Sequence, residues 1–210
     1  MAAAAIAAVL ALTAATRAEA GEGLAGLEDS SRITLLGGWQ RAENRDVRQG
    51  LHRPPNGGPL GSLTFGYSPL GWAELGIDAF FGAQPLWKGA GAPWGAVYGA
   101  LIGGRVQLLI PTGSLGLIPR LGVHAGPAII TGPDLGKGFV ETLGTALAGS
   151  VGLEARLSRE WSLNLEYRYL LAQGVVEIAD ATHVFNSGGH SLLLGATFSF
   201  LPGSRGTWSL

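Results

Sequence analysis

Polar and apolar residues alternate along most of the chain after residue 30, and a period of two is typical of β-strands. The pattern is clearest at 162–171, where one face carries apolar and aromatic residues and the other carries polar ones: Leu163, Leu165, Tyr167, Tyr169 and Leu171 against Asn164, Glu166 and Arg168. Turn residues separate eight such segments. They predict strands at 32–41, 60–67, 73–83, 97–110, 117–130, 141–157, 162–171 and 190–200.

The links between these strands alternate between long and short. They run at 42–59, 68–72, 84–96, 111–116, 131–140, 158–161 and 172–189. Long loops at one end and tight turns at the other are typical of an up-and-down barrel of antiparallel strands. The fifth strand contains Pro119 and Pro127, which lack an N–H donor, so we expect both near its ends.

The polar face of these strands is rich in glycine, and the only two lysines, Lys88 and Lys137, fall in predicted loops. A solvated barrel surface would carry many lysines and glutamates. The charges of the polar face also balance, with Glu74, Asp78, Glu154 and Glu166 against Arg105, Arg120, Arg156 and Arg168. Since an unpaired buried charge is costly, this balance favours a closed interior, with the apolar face toward lipid.

Within that interior we expect the charged side chains to form a structural network. A register that sets Glu154 opposite Arg168 and Arg156 opposite Glu166 predicts two cross-strand ion pairs. His124 has the same parity as Arg120, and we interpret it as a hydrogen-bonding partner inside the barrel.

Aromatic residues cluster near both ends of the predicted strands, as expected at membrane interfaces. The group near the short turns is Tyr67, Trp72, Trp161 and Phe200, and the group near the long loops is Trp39, Phe81, Tyr98 and Tyr169.

Residues 1–20 have the pattern of a cleavable signal peptide, with an apolar run followed by Ala18-Glu19-Ala20. The mature chain would then start at Gly21. An uncleaved Ala-rich helix is the alternative, but its apolar run is too short to span a bilayer.

Composition narrows the function classes. Charged residues make up 14% of the chain, against about 25% in ordinary soluble domains. The formal net charge of −1 leaves no basic excess for nucleic acid. The absence of cysteine excludes disulfides, thiolate metal sites and cysteine nucleophiles.

The last two strands carry the resemblance to a family. The run LNLEYRY at 163–169, a loop, and GHSLLLGATFSF at 189–200 resemble the final hairpin of the small OmpA/OmpX-type and opacity-protein-like outer-membrane barrels of Gram-negative bacteria. The resemblance implies an all-β fold, an eight-stranded transmembrane barrel at 31–200, between a periplasmic segment at 21–30 and a tail at 201–210.

The same resemblance implies surrounding outer-membrane lipid and insertion by the barrel-assembly machinery, which reads a final strand ending in an aromatic residue; Phe200 is the matching position. The tail at 201–210 either lies in the periplasm or complicates recognition of the final strand by that machinery. We expect a monomer.

No motif predicts catalysis, a metal site or a cofactor. The spelling G-x-G-x-x-G at 21–26 has no preceding strand, and the four histidines show no ligand spacing. Two alternatives remain, a lipid A-modifying hydrolase of the outer membrane and a soluble secreted barrel that binds a lipid. His190 and Ser191 are adjacent, so a strand directs them to opposite faces and they cannot pair as base and nucleophile.

Any specific ligand would bind the long loops. The loop at 42–59 contains Arg45, Arg48, His52 and Arg53, and that at 173–189 contains Glu177, Asp180, His183 and Phe185.

Overall fold

The alternating segments form ten antiparallel strands in the computed structural model, which describes residues 27–42, 57–85, 94–112, 115–134, 138–158, 160–178 and 181–200. The strands are β1 (Ser30–Ala42), β2 (Gly58–Leu70), β3 (Ala73–Pro85), β4 (Trp94–Gln107), β5 (Ile110–Thr112), β6 (Leu115–Asp134), β7 (Gly138–Arg156), β8 (Trp161–Ile178), β9 (Ala181–Asn186) and β10 (Gly189–Phe200). These described residues include no helix long and apolar enough to cross a membrane. The predicted signal peptide, residues 43–56 and the tail lie outside them.

The sheet closes on itself because β1 pairs with β2 on one side and with β10 on the other, and β10 also pairs with β8. The order around the barrel is β1-β2-β3-β4-β6-β7-β8-β10. Strand β5 extends the line of β4 along β6, and β9 extends the line of β10 along β8. The prediction of an eight-stranded antiparallel up-and-down barrel is confirmed.

The orientation of the two strand faces is also as expected. Along β2, inward residues such as Ser62 and Thr64 are buried, whereas outward Leu63 and Phe65 are about half exposed. The same parity places Leu35, Leu121 and Leu194 on the outer surface. A soluble barrel would have the opposite arrangement, with the apolar residues packed inside.

The interior differs from the prediction in one respect, because the half nearer the long loops is apolar. Its packed cluster comprises Leu36, Leu60, Phe80, Val97, Leu101, Ala128, Ile130, Ala146, Ala148, Leu170, Ala172 and Leu193. Several of these inward residues are flanked in the sequence by apolar residues that point outward. Leu193, for example, lies between Leu192 and Leu194, and such runs hide the alternation of polar and apolar residues. Since a narrow closed barrel is filled by side chains, apolar packing seals this half.

Two links predicted as loops are mostly strand. Strands β6 and β7 continue to Asp134 and from Gly138, and they pair through Gly132, Pro133 and Val140. The loop predicted at 173–189 is largely the hairpin of β8 and β9, in which Glu177 pairs with Thr182. Asp180 lies outside the described residues, as do Arg45, Arg48, His52 and Arg53. Backbone pairing therefore outweighs the turn-forming composition of these segments.

The expectation that Pro119 and Pro127 lie at strand ends is wrong, since both are inside the 20-residue β6. The Pro119 carbonyl accepts a hydrogen bond from Leu108 N at 3.2 Å, so the missing N–H of Pro119 also faces the β4–β5 side. The backbone of Pro127 faces the same side, since it lies an even number of residues from Pro119. Pro127 has no partner residue on β4, whereas it pairs with Thr145 on β7. Each proline thus costs a hydrogen bond on one side only.

Close approach of neighbouring backbones explains some of the glycines. A Cβ on Gly195 would lie 1.8 Å from the Leu35 carbonyl oxygen, whereas a Cβ on Gly37, in the adjacent strand, would meet nothing within 4 Å. We expect Gly195→Ala to lower the free energy of unfolding by about 1–3 kcal/mol, and Gly37→Ala to change it by less than about 0.5 kcal/mol. Urea titration of the refolded protein in lipid measures both; equal losses would show that packing at Gly195 is not the cause.

Candidate functional site in the barrel interior

Nine charged side chains are buried in the described part of the interior half nearer the short turns; Arg156 is one of them, and the other eight are linked to each other. They point inward from β1, β3, β4, β6, β7 and β8, and each residue is more than nine-tenths buried: Arg32, Glu74, Asp78, Arg105, Arg120, Glu154, Glu166 and Arg168. Four of these eight are basic and four are acidic, and Arg156 adds a fifth buried arginine.

These eight side chains form one continuous chain of ion pairs, here called the interior ion chain. It begins at Arg120, which pairs with Glu154. Glu154 also pairs with Arg32, and Arg32 Nη1 lies 3.5 Å from Glu74 Oε2. Glu154 is therefore shared between the guanidinium groups of Arg120 and Arg32.

The second half of the interior ion chain continues from Glu74. Arg105 donates through Nη1 to Glu74 Oε1 at 2.9 Å, and its Nη2 lies 3.6 Å from Glu166 Oε2. Arg168 Nη2 contacts Glu166 Oε1 at 2.8 Å, and Arg168 Nη1 contacts Asp78 Oδ2 at 2.7 Å. The signs alternate from one end to the other, which offsets the desolvation of each group.

Neutral polar side chains surround the ion chain. Arg32 donates to Gln107 Oε1 at 3.0 Å, and Gln107 donates in turn to Ser68 Oγ at 3.1 Å. Thr64 donates to Asp78 Oδ1 at 3.1 Å, and Arg168 donates to Ser62 Oγ at 3.2 Å. Serine and threonine of β2 thus add hydrogen bonds to Asp78 and Arg168, whereas the buried Nε atoms of Arg32, Arg105 and Arg120 have no hydrogen-bond partner among the described residues.

The expected register of β7 and β8 is wrong. Arg168 pairs with Ser150 and Glu166 with Gly152, so Glu154 lies opposite Asn164 and Arg156 opposite Ser162. The ionic groups reach each other across the interior instead, because long side chains in a narrow barrel meet residues of non-adjacent strands.

Arg32 is the residue that the sequence reasoning missed. It is 1% exposed, and it joins Glu154 of β7 to Glu74 of β3. Arg32 lies at the same alternate positions of β1 as the polar residues Thr34 and Gln40, so the polar–apolar pattern contained the signal.

Arg156 and His124 are also buried but lie outside the interior ion chain. Arg156 donates through Nε to the Ser158 carbonyl at 3.2 Å, near the short turns. His124 packs against the backbone of Gly103, where an added Cβ would lie 2.7 Å from the imidazole Cδ2. Small inward residues therefore provide the space that the imidazole occupies.

A polar layer closes the other end of the interior, above the apolar cluster. Gln40 of β1 and Gln84 of β3 both donate to the Ser187 carbonyl, at 3.0 and 3.4 Å. Asn186 Oδ1 accepts from the backbone N–H groups of Ala172 and Gly188, each at 2.9 Å. The segment between β9 and β10 is thus tied across the barrel.

His190 and Ser191 lie on opposite faces of β10 and form no catalytic pair. Ser191 is buried inside, whereas His190 is half-buried on the outer face, where its Nδ1 shares a hydrogen bond with the Tyr167 hydroxyl. In the described part of the chain, no group of three or more His, Asp and Glu side chains is placed to hold a metal ion.

Phe200 ends β10 on the outer face and is 47% exposed. Its ring packs edge-on against Phe198 at 4.8 Å, and Phe198 packs against Trp161 at 5.0 Å. Tyr67 and Trp72 lie at the same end and are exposed, while Trp39 and Phe81 are exposed at the other end. Aromatic side chains therefore border the apolar outer surface on both sides.

Comparison with solved structures finds the same architecture in bacterial outer-membrane proteins. OprG from Pseudomonas aeruginosa is 13% identical, with a TM-score of 0.53, and the match covers 85% of this chain and 98% of that one. Neisserial surface protein A is 13% identical, with a TM-score of 0.50, and the match covers 82% of this chain and 100% of that one. No protein-family model and no curated protein sequence matches the chain. The chain has the fold of the small eight-stranded outer-membrane β-barrels.

Proposed function

We propose that this protein is a small integral barrel of the bacterial outer membrane with a structural or surface-interaction role and no enzymatic activity. The observation that carries the proposal is the sidedness of the strands. Apolar side chains such as Leu35 and Leu121 cover the outside, and the eight residues of the interior ion chain are buried inside. This arrangement is stable when acyl chains, rather than water, surround the barrel.

The filled interior supports a structural role over transport of solutes. The interior ion chain occupies one half, and the packed apolar cluster occupies the other. Gln40 and Gln84 then tie Ser187 across the end. Strands β6, β7 and β8 have 20, 19 and 18 residues and so exceed the length needed to cross a membrane, which supports contacts of the β6–β7 and β8–β9 hairpins beyond it.

Fractionation and gel mobility test the membrane assignment. We expect the protein in the outer-membrane fraction, extractable only by detergent, and we expect an unboiled sample to migrate differently from a boiled one because the barrel stays folded in detergent. Recovery in the soluble periplasmic fraction, with identical mobility before and after boiling, would contradict the proposal.

We further propose that Phe200 is read by the barrel-assembly machinery. Its exposed ring at the end of β10 supports this role. We expect Phe200→Ser to lower the amount of folded barrel in cells several-fold, while refolding of the purified protein in detergent is unchanged. The matched control is Phe65→Ser, which removes an equally exposed ring from β2. Equal losses for both variants would assign the effect to general stability.

A further inference from the structure

At the long-loop end of the seam between β8, β10 and β1, the outer surface changes from apolar to polar. Arg41 pairs with His190 across β1 and β10, and His190 pairs with Tyr169 across β10 and β8. These three residues, here called the rim row, lie side by side on three neighbouring strands. Of the arginines and lysines within the described ranges, Arg41 alone is exposed.

Aromatic side chains position the imidazole at the centre of the rim row. The His190 ring lies 4.9 Å from the Tyr169 ring and 5.9 Å from the Tyr167 ring, between centroids. The Tyr167 hydroxyl also hydrogen-bonds to His190 Nδ1. Two tyrosines therefore orient the imidazole, and the exposed residue Arg41 lies opposite His190 on β1.

The surface directly below the rim row is apolar. The next outward row, two residues along each strand and about 7 Å away, is Trp39, Leu192 and Tyr167. Leu194 and Leu165 follow in the row below. A cation and an imidazole thus lie at the border of the surface that we assign to acyl chains.

We propose that the rim row binds the phosphate group of a membrane lipid whose acyl chains lie against Trp39 and Leu192. A guanidinium is the side chain best suited to phosphate oxygens, and an imidazole adds a hydrogen-bonding group. Free phosphate would match the polar row but not the apolar row below it, so the geometry points to a lipid headgroup. This inference rests on the proposed membrane location of the barrel.

The test uses the full mature chain folded into phosphatidylcholine nanodiscs with and without phosphatidic acid. Bound lipid is counted by native mass spectrometry after mild detergent release. We expect Arg41→Gln to retain about fivefold less phosphatidic acid, the effect of one interfacial cation, and Arg41→Lys to keep most of the binding. The matched control is Glu141→Gln. Glu141 is exposed at the long-loop end of β7, which is three strands away from β1, the strand of Arg41.

The outcomes distinguish a lipid-binding site from an effect of overall charge and from a site for free phosphate. The proposal is overturned if wild type and Arg41→Gln retain equal amounts of phosphatidic acid. It is also overturned if the wild type retains as much phosphatidylcholine as phosphatidic acid. If Glu141→Gln gains as much bound phosphatidic acid as Arg41→Gln loses, overall charge explains the effect, and the proposal is again overturned. Displacement of the lipid by inorganic phosphate alone overturns the lipid as the ligand. Failure to enter nanodiscs, seen as absent heat-modifiable mobility, refutes the membrane location itself.

Discussion

Replacing Glu154 with Gln is expected to lower the free energy of unfolding of the barrel by about 3–5 kcal/mol. Glu154 is fully buried and pairs with both Arg32 and Arg120. Its neutralisation leaves two guanidinium groups sharing a dry interior without their common carboxylate. Urea titration of the folded protein in detergent or lipid, followed by tryptophan fluorescence or gel mobility, measures the loss.

Two further variants make this result specific. Glu141→Gln is the matched control, because Glu141 is exposed, and its effect should stay within about 0.5 kcal/mol. The double variant Glu154→Gln with Arg120→Gln restores the charge balance, so its cost should fall below the sum of the single costs by about 0.5–3 kcal/mol. The ion chain would contribute nothing to stability if the two single losses in unfolding free energy simply added in the double variant. The same conclusion would follow if Glu154→Gln lost no more unfolding free energy than the Glu141→Gln control.

Leu35→Arg is expected to destabilise the bilayer-embedded barrel by about 2–4 kcal/mol. Leu35 is 63% exposed on the outer face of β1, between Trp39 near one border and Ser31 near the other. An arginine there would face acyl chains near the middle of the bilayer. The measurement is the urea midpoint of the protein refolded into lipid vesicles, with the folded yield as a second readout.

The matched control for Leu35→Arg is Leu70→Arg, since Leu70 is 42% exposed but lies at the short-turn end of β2. The cost of an arginine falls to about 0–1 kcal/mol near the interface, so this variant should insert almost normally. A water-soluble barrel would tolerate both substitutions equally, because both sites are already exposed. Equal stability of the two variants would therefore count against the membrane location.

Much of the fold was predictable because a period of two is clear in several of the strands. In β3, Glu74 and Asp78 have one parity and Leu75 and Ile77 the other, and the structure buries the first pair and exposes the second. The same parity predicted eight of the nine Asp, Glu and Arg side chains that are buried in the described part of the barrel. Arg32 was predictable on this ground as well, although it was overlooked.

Some ion-pair partners were not predictable from neighbouring strands, although Glu74 and Arg105 lie directly opposite each other on β3 and β4. Asp78 of β3 pairs with Arg168 of β8, and Arg32 of β1 pairs with Glu154 of β7. These strands are not neighbours in the sheet. Their meeting depends on the stagger and narrow width of the closed barrel, which no local pattern encodes. The apolar inner cluster was hidden for a related reason, since runs such as Leu192-Leu193-Leu194 do not reveal which leucine points inward.

The amino-acid sequence by itself determined most of the strands, their antiparallel order and the apolar outward face, because side chains alternate in direction along any extended backbone. Only the tertiary structure decided which guanidinium meets which carboxylate, where the interior changes from ionic to apolar, and which prolines a strand tolerates. Those properties depend on barrel closure and register, which bring together residues far apart in the chain.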